Sequence, residues 1–299
     1  MLNGVVINIV LACDDRYVQH AAVTIVSVVK NTKRKVHFYV FDCGILPENL
    51  ERLKRLDVGS NVLEVVQVQK IDVFENYKYQ EHYTPAIMYR LAIPEILPHL
   101  DKALYLDCDI VAVGDVGELW DIDLGDKMLG GGVSLDCCRP RYFPDFDKCY
   151  FCSGLLLMNL KKMVEVSFFK KAVRTLCAIR YFMLPDQDVL HVLLQNEDWL
   201  LLDETLCRAL LISDPNTAVF VHFCVKPWAM PRRFIRCLPG RYWRIMCKYY
   251  DYLSSTPFCD QEAKFVDYEG SCKVLIKWLL RRDRIVFLER IRGRGLWHM

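Results

Sequence analysis

No run of consecutive apolar residues in this chain reaches the ~18–20 positions that a membrane-crossing helix needs, so a spanning protein is excluded. No basic start or cleavage-site pattern precedes Val5-Val6-Ile7-Asn8-Ile9-Val10. The expectation is a cytoplasmic chain without a secretory signal. Leu11 to Tyr17 holds no glycine-rich phosphate loop, which counts against a nucleotidyltransferase. Internal repeats and low-complexity tracts are missing. Charge of one sign is scarce too: the net value is +2 over 299 residues, and charged residues make up 25%. Global disorder is thereby excluded, and no recognition motif points to nucleic acid.

Apolar residues are plentiful at 53%, with 12% aromatics, enough for a sizeable core. The 14 cysteines are scattered, and Cys13, Cys177, Cys207 and Cys247 sit in apolar surroundings. Reduced, buried thiols are the favoured reading. Cys137, Cys138, Cys149 and Cys152 form a cluster that admits zinc, although adjacent cysteines make a poor ligand pair. Charge is uneven: residues 271–299 carry a balance of +6 and the remainder −4.

Residues 5–12, 36–41, 62–68, 103–106, 153–159 and 219–223 read as strands, of which 5–12, 103–106 and 153–159 read as buried, the first being a short, β-branched apolar run with almost no alternation. Helical patterns fill 18–30, 47–56, 84–97, 161–182 and 186–196, with Pro94 able to kink or shorten the third. This strand–helix order predicts an α/β domain with a mostly parallel sheet flanked by helices. From Lys226 onward the rhythm stops. The expected division is a catalytic domain over 1–228 and a small, mainly helical extension over 229–299.

At the mouth of the strand ending at Leu106 stand Asp107-Cys108-Asp109. Residues i and i+2 of an extended segment face the same side. Two carboxylates so placed repel each other and lose hydration unless a cation joins them. Mg2+ and Mn2+, which prefer oxygen ligands and are often shared with phosphates, suit the pair. Ligands of such sheets lie at the carboxyl ends of strands, where Asp14-Asp15 also falls.

Six segments together resemble the retaining glycosyltransferases of family 8. They are Leu11-Ala12-Cys13-Asp14-Asp15-Arg16-Tyr17, Met88-Tyr89-Arg90-Leu91, Leu104 to Asp109, Ser153 to Leu160, Asp186-Gln187-Asp188, and His222-Phe223 with Lys226-Pro227-Trp228. The resemblance implies a GT-A fold, a UDP-sugar donor and Mn2+, with Mg2+ as the alternative. It implies transfer of glucose or galactose to a glycan or glycolipid hydroxyl, as in lipopolysaccharide or other surface-glycan synthesis. Ala12 and Asp14 would hold uracil beside Tyr17; a helix N-terminal acid is the plainer role for Asp14. Asp107, Asp109 and His222 would ligate the metal, with Cys108 between the carboxylates. Lys226 would neutralise the leaving diphosphate, and Arg90 would bridge a metal carboxylate and the donor. Asp136 would accept from a sugar hydroxyl. Asp186 and Gln187 would lie near the anomeric carbon, Asp186 being equally suited to cap its helix.

The chain departs from the family pattern in three places. Cys152 replaces an Asn, Arg16 replaces an Asn, and only Cys224-Val225 separate Phe223 from Lys226, without the usual Gly. A degenerate sugar-nucleotide-binding scaffold is therefore the rival reading. The basic, apolar tail from Lys273 to Arg294 fits an anionic membrane surface, which would place the protein on the cytoplasmic face of the inner membrane. A helix packed on the domain is the alternative.

Overall fold

The computed structural model describes residues 5–79, 83–133, 150–179, 182, 184–194, 199–203, 205–209, 218–223, 226–229 and 240–260. β1 (Ile7–Cys13), β2 (Val36–Asp42) and β3 (Val62–Gln67) alternate with α1 (Val18–Asn31) and α2 (Pro47–Lys54). After α3 (Asp72–Glu75) come a 3-10 helix (Pro85–Ala92), the single turn α4 (Ile93–Ile96) and β4 (Lys102–Leu106). The chain continues through β5 (Ile110–Ala112), α5 (Gly117–Trp120), β6 (Leu129–Val133) and β7 (Phe151–Asn159). Next are α6 (Leu160–Glu165), α7 (Phe168–Ala178), α8 (Pro185–Leu193), β8 (Trp199–Leu201), β9 (Cys207–Ala209) and β10 (Phe220–His222). A 3-10 turn (Pro227–Ala229) and α9 (Gly240–Leu253) follow.

The main sheet has seven strands in the order β3-β2-β1-β4-β7-β6-β8. β1 pairs in parallel with β2 and β4, and β2 with β3. Only β7 runs against its neighbours, β4 and β6, so the expected mostly parallel sheet is present. A smaller sheet, β5-β10-β9, begins just after the acidic pair. Strand residues split between two cores. Ile7, Ile9 and Leu11 of β1, with Leu104 and Leu106 of β4, pack towards α1 and α9; Val10, Ala103 and Tyr105 pack towards the 3-10 helix and α8. Both faces are covered, which explains why these strands lack alternation. Each fully buried Leu or Ile contributes roughly 1.5–3 kcal/mol.

Two helical spans differ from expectation. The segment 84–97 is a 3-10 helix to Ala92 and then one α turn, and Thr84 makes no side-chain cap bond. Pro94 lacks an N–H and its ring opposes the carbonyl four residues back, so an uninterrupted α-helix cannot pass it. The segment 161–182 is two helices, broken where Ser167 takes a left-handed φ of 53°.

Residues 240–260 lie on α1: Asn31 Nδ2 donates to the Tyr252 hydroxyl (3.0 Å) and Lys30 Nζ to Ser255 Oγ (2.7 Å). Tyr249 and Met246 belong to the same core as β1. Among the described residues no helix is long and apolar enough to cross a membrane. The basic tail, Asp136 and the cysteines Cys137, Cys138 and Cys149 lie outside the described residues.

Candidate active site

A cleft of about 450 Å³ opens at the carboxyl ends of β1 and β4. Every site residue expected from the sequence lines it, Asp136 excepted. Topology explains the convergence. β4 delivers Asp107 and Asp109 at its end. β10 pairs back onto β5 with His222 opposite Ile110, and Phe223 N donates to Asp109 O (2.9 Å), which sets His222 beside the carboxylates. Because β7 is antiparallel to β4, its first residues meet the end of β4, and Asp107 N donates to Gly154 O (2.8 Å). Ligand atoms of Asp107, Asp109 and His222 lie within 4.8 Å of one another.

The residues around this trio are charged and buried. Arg90, on the 3-10 helix, is only 3% exposed. Its Nη2 donates to Asp107 Oδ1 (2.8 Å) and its Nη1 to Ser153 O (2.6 Å), while Nε lies 3.1 Å from Asp186 Oδ2. The guanidinium also stacks over Tyr105, 4.5 Å from the ring centre. Burial works against its charge, but Asp107 and Asp186 outweigh it and raise the Arg90 pKa. Burial pushes Asp107 up; Arg90, His222, Tyr105 and Lys226 together hold it below the usual carboxylate range. Asp186 moves the other way, raised by burial despite Arg90 and the Ser153 hydroxyl (2.7 Å). Lys226 pairs with Asp109, and burial lowers its pKa to about 8 against the pull of Asp107 and Cys108.

Of the buried side-chain atoms lining the cleft, Asp109 Oδ1 and Gln187 Nε2 make no well-formed hydrogen bond. Asp109 Oδ1 lies 3.0 Å from His222 Nε2. Arg90 and Tyr105 both engage Oδ1 of Asp107. Its Oδ2 faces the space above Gly154, where a Cβ would stand 2.7 Å from Oδ2 and 2.8 Å from His222 Cε1. Two carboxylates, one of them with an unpartnered buried oxygen, and an imidazole form an O,O,N donor set that fits a divalent cation.

At the end of the cleft formed by β1 and α1, Ala12 and Tyr17 border it, and burial raises Tyr17 to about 12. Cys108 Sγ donates to Ala12 O (3.6 Å). Asp14 accepts from Arg16 N (3.0 Å) and Nε (3.3 Å), so the replaced position engages the carboxylate expected to hold uracil. Asp186 does not cap α8: Leu184 occupies that position, and the Asp188 carboxylate accepts from Leu184 N (3.0 Å). Pro185 opens the helix, which moves Asp186 one residue in, towards Arg90. Gln187 Oε1 accepts from Ser153 N (3.0 Å). Cys152 Sγ lies 3.7 Å from His222 Nδ1. The shortened connection at 224–225 lies outside the described residues, yet Lys226 still reaches Asp109.

Ser153, Gly154 and Tyr105 also build the site without having been expected there. Gly154 had a signal: an isolated glycine inside a strand marks a close approach by neighbouring groups.

The fold and cleft define a glycosyltransferase of the GT-A class. The chain superposes on the crystal structure of the galactosyltransferase LgtC with donor and acceptor sugar analogues at a TM-score of 0.68, with 24% identity, covering 84% of this chain and 96% of that one. The chain belongs to glycosyl transferase family 8, whose model matches residues 8–230. It is 30% identical over 236 residues to glycosyltransferase GlyF of Streptococcus pneumoniae, covering 74% of this chain and 57% of that protein. It is 25% identical over 248 residues to a lipopolysaccharide 1,2-glucosyltransferase of Escherichia coli, covering 74% and 73%.

Proposed function

We propose that this protein moves glucose or galactose from a UDP-sugar to a glycan or glycolipid hydroxyl, with retention, in lipopolysaccharide or other surface-glycan synthesis. The observation that carries it is the orphaned, buried Asp109 Oδ1 turned to His222 beside Asp107 in a cleft of about 450 Å³. Asp107, Asp109 and His222 would hold Mn2+, or Mg2+ in its place. A cation there supplies charge neutralisation to the leaving diphosphate.

The chain's own groups divide the remaining work. Ala12, Asp14 and Tyr17 bind the base, with Arg16 competing for Asp14. Arg90 fixes Asp107 and Asp186 in one frame, and its planar fork suits that task. Lys226 stabilises charge on the departing UDP, an electrostatic contribution of the kind that dominates such transfers. Gln187 Nε2, buried at the cleft without a well-formed hydrogen bond, donates towards the sugar. Asp136 accepts from a donor hydroxyl. Asp188 is fully buried and accepts from the Tyr150 hydroxyl and Leu184 N, so it is unsuited to nucleophilic attack. Front-face displacement within a short-lived ion pair accounts for retention without a carboxylate nucleophile.

Residues 1–228 form the catalytic domain in this reading and 229–299 an extension whose α9 packs on it, with the tail resting on an anionic membrane surface at the cytoplasmic side. Deleting residues 271–299 would then abolish binding to anionic vesicles. The decisive assay is UDP release from UDP-glucose and UDP-galactose with and without Mn2+. Metal-dependent turnover with one of them is expected. Tight UDP binding without turnover of any UDP-sugar favours the scaffold reading, which Cys152 motivates.

A further inference from the structure

The family match ends at residue 230, yet the turn that carries Lys226 is held from beyond it. Pro227, next to Lys226, has its carbonyl oxygen bonded by the Tyr250 hydroxyl of α9 (2.8 Å). Trp228 lies flat on His20 of α1, ring centres 3.6 Å apart and planes inclined by 17°. His20 Nδ1 is 2.6 Å from the Tyr249 hydroxyl of α9, and Tyr249 itself packs 5.1 Å from Trp228. Tyr17, on the wall of the cleft, meets both His20 and Trp228 edge-on. His20, Trp228 and Tyr249 are all buried, so the stack has little room to shift.

We propose that Tyr249 and Tyr250 are positioning residues for Lys226, and that α9 is thereby a strut of the active site. A lysine ammonium is a point charge on a flexible stem, and its aim depends on the backbone that carries it. Here that backbone is fixed on one side by a carbonyl hydrogen bond and on the other by an indole clamped between α1 and α9. Misplacement of a charged group by about 1 Å is enough to forfeit much of its effect. The proposal rests on the reading that Lys226 faces the diphosphate.

The test is calorimetric binding of UDP and of uridine to the full chain in the presence of Mn2+. Tyr250→Phe, which removes only the hydroxyl, weakens UDP binding about 5- to 10-fold, as loss of one good hydrogen bond does, and leaves uridine binding unchanged. Tyr249→Phe gives the same selective loss. In a Lys226→Ala background neither substitution costs anything further, because the residue they act through is gone. Unaltered uridine affinity shows that these variants fold. Wild-type UDP affinity in Tyr250→Phe and Tyr249→Phe overturns the proposal, and so does an equal loss with and without Lys226. Should Lys226→Ala itself leave UDP affinity intact, the assignment of Lys226 fails first and the strut falls with it.

Discussion

At the scale of single residues, the site depends on what is left out as much as on what is present. Gly154 keeps the floor beneath Asp107 and His222 clear: an added methyl would stand 2.7 Å and 2.8 Å from them. Gly154→Ala is expected to displace the donor set and lower turnover about 10²-fold, read from steady-state rates with a Mn2+ titration. Gly130→Ala is the control, since its Cβ would meet the side chains of Leu202 (Cδ2 at 2.9 Å) and Leu124 (Cδ2 at 3.3 Å), which can give way, and no residue of the cation site. Equal rates in both variants would show that the floor is not critical. Arg90 carries a different burden, being the buried partner of both Asp107 and Asp186. Arg90→Ala leaves the buried Asp186 without its cation and takes one of several partners from the half-buried Asp107, and is expected to destabilise the chain by about 3–5 kcal/mol in urea unfolding. Arg90→Lys restores charge without the fork, so it recovers part of the stability while turnover stays low. Full activity in Arg90→Lys would remove the argument for planar recognition.

At the scale of elements, buried histidines join helices to their neighbours. His20 ties α1 to α9, and burial, helped by the Lys226 charge, lowers its pKa to about 3. His191 of α8 accepts from Phe151 N of β7 (3.0 Å), and burial lowers it to about 4 although the Phe151 carbonyl oxygen, 3.3 Å from Nε2, opposes the shift. Both folded values lie below the unfolded value of about 6.5, so the unfolded chain binds more protons between them. Stability is therefore complete above pH ~6.5 and falls as pH drops towards the folded values, by up to about 1.4 kcal/mol per pH unit for each histidine. Denaturant unfolding at pH 4–7 should show this slope, reduced by about one proton in His20→Gln or His191→Gln. A slope identical in all three proteins would mean that neither ring is held neutral by the fold. The same elements show what the chain made legible. Strands β1, β2, β4 and β7 could be read because apolar runs buried on both faces leave a local pattern; β3 has the apolar composition of a strand although its residues are exposed or half-buried. The 3-10 form of 85–92 could not, since its residues suit either helix and only Pro94 and the packing against β1 decide.

At the scale of the whole molecule, the cleft gathers the end of β1, the end of β4, the start of β7, the start of α8, the 3-10 helix and β10. Asp107, Asp109 and His222 were legible as short motifs, whereas the role of Ser153 follows from the antiparallel entry of β7, which no local pattern signals. The support from α9 was equally hidden, because it runs through His20, which meets Trp228 and Tyr249 from more than two hundred positions away. A ligand filling this cleft touches both sheets, so it should stabilise the fold as one unit. With UDP and Mn2+ at about 100 times the dissociation constant, linkage gives about 2.7 kcal/mol, a rise of roughly 5–10 °C in Tm for a chain of this size. UDP alone should give far less, because two carboxylates facing a diphosphate repel it unless a cation intervenes. Asp109→Asn should lose the Mn2+-dependent part while folding normally, since it removes charge without changing shape. A full thermal shift from UDP without metal, or an undiminished one in Asp109→Asn, would mean that Arg90 and Lys226 alone balance the diphosphate and that the acidic pair serves another end.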